Sequence, residues 1–238
     1  MFGGHDDDEA AQPLIGQTKE DRQDRLNFIR KVYGILSVQL TLTAACICAV
    51  KLVPGWNSGI QALWPLAFAA LLIAIIVEIA LICCRSVARK VPTNYILLLV
   101  FTLCQAFAFA FICSAYTGNS VMAAAGMTAG VTVTLTLYAL FTKTDFTAYG
   151  GAFCVMAFAV SMLCFMSIFM SFVAWWHPVM SCILVIFYGL FLIYDTQLIA
   201  GGGKHSLDLD EYIVGALIIY VDIMGMFLEL LKLFGDRN

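Results

Sequence analysis

Apolar residues do not alternate with polar ones along this chain. They run together in seven stretches, at about 32–53, 60–84, 94–115, 120–142, 151–173, 178–200 and 211–234. Each is long enough, as a helix rising about 1.5 Å per residue, to cross a hydrocarbon layer roughly 30 Å thick. The two-residue alternation of a membrane barrel is absent. Breakers separate the stretches: Pro54-Gly55, Pro92 before Thr93-Asn94, Gly118-Asn119, Lys143 to Asp145, His177-Pro178 and Gly201-Gly202-Gly203. The pattern predicts an all-α polytopic membrane bundle. Seven transmembrane helices would form one domain over 28–238, behind a disordered cytosolic tail at 1–27. The last stretch is long enough to cross, and its acids leave a re-entrant course as the alternative.

Composition agrees with this reading. The chain is 62% hydrophobic and 12% charged, about half the charge of an ordinary soluble domain. No basic face exists to bind nucleic acid, so the partner the composition names is the lipid bilayer. The nine cysteines lie in or beside apolar stretches without metal-ligand spacing and read as small packed thiols. Cys83-Cys84, beside a basic helix end, form a candidate palmitoylation site. Ten lysines and arginines fall before the first stretch or in alternate loops, against Lys51 alone in the others. That asymmetry places the amino terminus in the cytosol.

Two aspartates stand where hydrocarbon is expected. Asp195 ends the sixth stretch, and Asp222 lies within Ile218 to Met224 of the seventh. A carboxylate at membrane depth costs roughly 2.5–3.5 kcal/mol on insertion scales, so it needs a partner or a task. The short polar connection at 201–210 returns the chain antiparallel, and both acids are approached from one side. At about 1.5 Å per residue they lie ~8 Å and ~15–18 Å inside that boundary, close enough for reach and tilt to bring them together. Two carboxylates ~3 Å apart in low dielectric cannot both ionise, so they share one proton and titrate as a unit. Doubly ionised, they would repel and offer calcium a weak site, since that ion takes six to eight oxygens. Weak binding suits permeation. No tightly bound cofactor is expected, with calcium as the permeant or regulatory ion.

Other polar residues fall into stripes. Gly215, Asp222 and Glu229 recur every seven residues on one face of the last helix, and Gly215 would let a neighbour approach closely. Glu78, Arg85 and Arg89 form a second stripe, at +7 and +11. Glu78 and Glu229 are candidate further pore carboxylates, and Tyr188 precedes Asp195 by seven. Gln39, Gln105, Thr132, Thr134, Thr136 and Ser161 read as hydrogen-bonding partners within the bundle.

Several short motifs add a resemblance. Phe28-Ile29-Arg30-Lys31-Val32-Tyr33, the loop Thr142 to Thr147, Asp195-Thr196-Gln197 followed by His205-Ser206, and Glu211-Tyr212-Ile213 resemble the Lifeguard branch of the transmembrane Bax-inhibitor-motif family. Tyr220-Val221-Asp222-Ile223 is similar to its last-helix signature, usually Tyr-Leu-Asp. The resemblance implies seven helices around a central hydrophobic sixth, a pH-sensitive calcium leak from endoplasmic reticulum or Golgi stores, and suppression of apoptosis. It puts Asp195 and Asp222 at the family's di-aspartyl sensor, which would also be the weak calcium site. It further implies an arginine on helix two that bonds the helix-six aspartate in the closed state. Arg89 matches that latch by its spacing from Glu78, with Arg85 as rival.

Two other classes compete. Tyr194-Asp195 with Asp222 imitates presenilin-type intramembrane aspartyl proteases, but the Gly-x-Gly-Asp context and the Pro-Ala-Leu tripeptide are missing, so no enzyme is expected. A non-conducting regulator would instead bind calcium channels, death-pathway or other anti-apoptotic proteins through its tail and loops.

Overall fold

The computed structural model of the chain describes residues 19–170, 172–173 and 175–237. Among these residues the helices are α1 (Lys19–Leu52), α2 (Trp56–Ala62), α3 (Trp64–Cys83), α4 (Arg85–Ala88), α5 (Thr93–Ser114), α6 (Gly118–Phe141), α7 (Gly150–Phe169), α8 (Trp176–Ala200) and α9 (Tyr212–Phe234). A 3-10 turn at Phe146–Tyr149 leads into α7. Seven segments are long and apolar enough to cross a membrane: α1, α3, α5, α6, α7 with its leading turn, α8 and α9.

Local chemistry sets the breaks. Gly55 takes a left-handed φ of 84° and starts the short α2, and Leu63 interrupts the helix before Pro65 opens α3. The second apolar stretch, read as one helix over 60–84, is therefore two. Thr117 caps α6 by accepting the Ser120 N–H, and Asp145 caps the 3-10 turn by accepting the Thr147 N–H at 2.9 Å.

Lipid is the solvent this surface requires. Ile76 on α3 and Phe158 and Ile168 on α7 are each about two-thirds exposed, and large apolar side chains follow one another along both helices. An outward face of this kind is stable against hydrocarbon and not against water. The protein is an integral membrane protein.

The bundle is built around α9, which touches α1, α3, α5, α6 and α8. In its most apolar stretch 72% of residues are buried, against 39% for α8. The expectation of a central sixth helix is thus corrected: the seventh span holds the middle and the sixth lies beside it. Ile213, Leu217, Tyr220 and Leu231 are wholly enclosed. The Tyr220 hydroxyl pairs with that of Thr43 at 2.8 Å, and its ring meets Phe101 edge-on. The far end of α9 meets the α5–α6 connection, where Thr117 N–H donates to the Asp236 carbonyl at 2.9 Å. Helix α9 therefore runs the length of the bundle.

A second correction concerns the amino-terminal side. Helix α1 begins at Lys19, well inside the stretch read as a disordered tail; residues 1–18 of that stretch lie outside the described residues. A tertiary contact holds the extension in place. The Arg25 guanidinium donates to the carbonyls of Leu207 at 2.6 Å and Leu198 at 2.7 Å. It thereby satisfies the end of α8, where carbonyls lack helical partners.

Candidate functional site

Helices α8 and α9 run antiparallel, joined by the connection at 201–211. Gly201 ends α8 with a φ of 72°, a conformation that glycine adopts without a side-chain clash. The turn leaves Asp195 in the penultimate turn of α8 and Asp222 at the middle of α9. Both are enclosed, 6% and 5% exposed, and their carboxyl groups meet at hydrogen-bonding range. Asp222 Oδ2 is buried without a hydrogen-bond partner among the described residues. Among the described residues, no lysine, arginine or histidine forms an ion pair with either acid. Two carboxyl groups in contact, dry and without a cation can share one proton.

The arginines lie elsewhere. Arg89 donates to Asp208 Oδ2 at 2.5 Å and to Glu211 Oε1 at 3.0 Å, and Arg85 Nε approaches the same Glu211 oxygen at 3.5 Å. The expected bond from Arg89 to Asp195 is not formed, and Arg85 does not form it either. Cys84 leaves helical geometry at φ −105°, ψ 82°, so Glu78, Arg85 and Arg89 are not one continuous stripe. Arg89 caps the four-residue α4 at the rim, beside the α8–α9 connection. Its bonds to Glu211 and then Asp208 raise its pKa above the usual arginine value. The sequence offers Glu211 only within the Glu211-Tyr212-Ile213 motif and gives Asp208 no role. An acidic run at the start of the last helix was the available signal.

The same end of the bundle gathers the other motif loops. Gln197 accepts the Phe146 N–H at 2.8 Å and donates to the carbonyls of Ala139 and Thr144. Asp145 accepts the Lys204 N–H at 2.8 Å and the Thr147 hydroxyl at 2.6 Å. Burial opposes the charged form of Asp145, but bonds from the Thr147 hydroxyl and the Lys204, Thr147 and Ala148 N–H groups outweigh it and lower its pKa.

The sequence profile described as "inhibitor of apoptosis-promoting Bax1" matches residues 25–238. The chain belongs to that family. Within it, the chain is 36% identical to human Protein lifeguard 3, over 92% of this chain and 71% of that one. It is 34% identical to the mouse Protein lifeguard 3, over 92% and 72%. A plant relative, Protein LIFEGUARD 2 of Arabidopsis thaliana, is 30% identical over 96% and 95%. The motif resemblance to the Lifeguard branch is confirmed.

In this member of the Bax1-inhibitor family the remaining acids are unlike one another. Glu78 is half-buried on α3, without a hydrogen-bond or ion-pair partner among the described residues. Glu229, 5% exposed, accepts the Ser181 hydroxyl at 2.8 Å and the Lys232 ammonium at 2.7 Å. Gly215 admits α1 and α8 closely, since a methyl there would lie 3.1 Å from Val32. Ser181, Gly225 and Lys232 were not singled out in the sequence. Ser181 had a signal, standing seven residues before Tyr188 and fourteen before Asp195. Gly225 accommodates the ring of Tyr188, which any β-carbon would strike. Among the described residues no cluster of three or more His, Cys, Asp or Glu is arranged to hold a metal. The aspartate pair presents two carboxyl groups, against the six to eight oxygens that calcium takes.

Proposed function

We propose that this protein is a pH-responsive calcium leak of an internal membrane, endoplasmic reticulum or Golgi, with its amino terminus in the cytosol. By setting the calcium store it restrains apoptosis, as the description of its family suggests. The observation that carries the reading is the contact between Asp195 and Asp222, enclosed and without a basic partner among the described residues.

A proton held between the two acids joins α8 to α9. Loss of that proton at higher pH leaves two like charges that repel each other and attract a divalent cation. Two carboxylates hold calcium weakly, which lets an ion leave as well as enter. Glu78 supplies the next carboxylate along the path. Arg89, through Asp208 and Glu211, holds the connection between α8 and α9 and so acts on the gate from the rim.

Purified full-length protein in calcium-loaded liposomes tests the reading. Efflux is expected to rise with pH, and Asp195→Asn or Asp222→Asn to flatten that response. Efflux no greater than from protein-free liposomes overturns the leak. Protection of cells without any efflux would then favour a non-conducting regulator.

A further inference from the structure

We infer that Lys232 is a tethered blocking cation of this leak, its ammonium filling a second cation position at Glu229. The inference rests on the leak reading and adds a site to it.

Ser181, Tyr188 and Asp195 recur every seven residues along α8 and face Glu229, Gly225 and Asp222 of α9 in turn. The seam between the helices thus carries polar groups along its length. The aspartate pair lies toward the 201–211 connection and Glu229 toward the opposite end. Tyr188 stands between them, its ring laid against Gly225.

Glu229 is enclosed, so its negative charge needs a counter-ion. Lys232 supplies one at 2.7 Å from a side chain that is still 42% exposed. A half-exposed lysine on a flexible four-carbon stem is a hydrated point charge. It can swing into solvent without disturbing the helix. A divalent metal cation that has passed the aspartate pair and Glu78 then meets Glu229 beside the Ser181 hydroxyl, and must displace the ammonium from Glu229 Oε1. Lys232 therefore sets the barrier at that end of the seam. A merely structural ion pair would behave differently: its loss would lower stability without opening a path or creating a divalent site.

Full-length variants in calcium-loaded liposomes at fixed pH separate the two cases. Lys232→Met is expected to raise efflux several-fold, and Lys232→Arg to keep it near wild type. The double variant Lys232→Met/Glu229→Gln should return to the wild-type level or below. In detergent, excess calcium should raise the melting temperature of Lys232→Met and not of the double variant, because a ligand that binds the folded state stabilises it. Should Lys232→Met unfold the end of α9, Lys232→Gln, which keeps a donor toward Glu229, takes its place. Unchanged efflux and no calcium-dependent melting shift overturn the inference; Asp195→Asn still altering efflux would leave the leak itself intact. Efflux equal to that of protein-free liposomes, in wild type and Lys232→Met alike, overturns both.

Discussion

Arg89 donates to Glu211 at 3.0 Å, tying the short α4 to the residue that opens α9. Arg89 is exposed while Glu211 is enclosed, and the Nη2 that donates to Glu211 also donates to Asp208. The rim of the bundle is held by these charges, and the aspartates beneath it are left to each other.

Arg89→Ala is expected to loosen the 201–211 connection and to raise basal calcium efflux. Removing the guanidinium leaves Glu211 with Arg85 as its remaining cation, at 3.5 Å. Limited proteolysis should cut the connection faster in the variant than in wild type. Equal cutting and equal efflux would remove Arg89 from the gate.

Gly225→Ala should destabilise the protein by about 1–3 kcal/mol, the usual cost of forcing an extra carbon into a packed interior. The new methyl collides with the Tyr188 ring. Tyr188→Ala in the same chain should recover part of the loss, and a double-mutant cycle of melting temperatures measures that coupling.

Gly201→Ala combines two penalties. Its φ of 72° disfavours any β-carbon, and the carbon would fall 2.7 Å from Arg25 Nε. A left-handed non-glycine residue costs on the order of 1 kcal/mol even where space is free. Arg25→Ala removes the collision but leaves the Leu198 and Leu207 carbonyls without this donor. Both single variants should therefore melt below wild type.

Asp145 predicts an acid limb. Its pKa is lowered in the fold, so the ionised form stabilises the loop junction fully above the ordinary value of 3.8 and loses that effect as pH falls through the lowered value. The melting temperature of wild type should exceed that of Asp145→Asn at neutral pH. The gap should close only below the ordinary value. A gap independent of pH would show that the charge contributes nothing.

Much of this architecture was legible in the sequence because a bilayer demands long apolar helices. The aspartates stood out for the same reason, as charges inside apolar runs. The centre of the bundle was not legible. Helices α8 and α9 have hydropathies of 2.0 and 2.1, and α3, at 2.9, is only 28% buried. Lipid tails are as apolar as a protein core, so hydropathy does not separate a helix that faces lipid from one that faces protein. The start of α1 was hidden because Arg25 acts on carbonyls far along the chain. Arg89 pairs with Glu211 and Asp208, which spacing from Glu78 does not reveal because the helix that carries this spacing stops at Cys84.

Infrared difference spectra of the purified protein test the shared proton most directly. The account predicts a protonated-carboxyl stretch at neutral pH that shifts in Asp195→Asn and in Asp222→Asn and disappears when both are changed. A spectrum with no such band, or with a band that survives in the double variant, would contradict it.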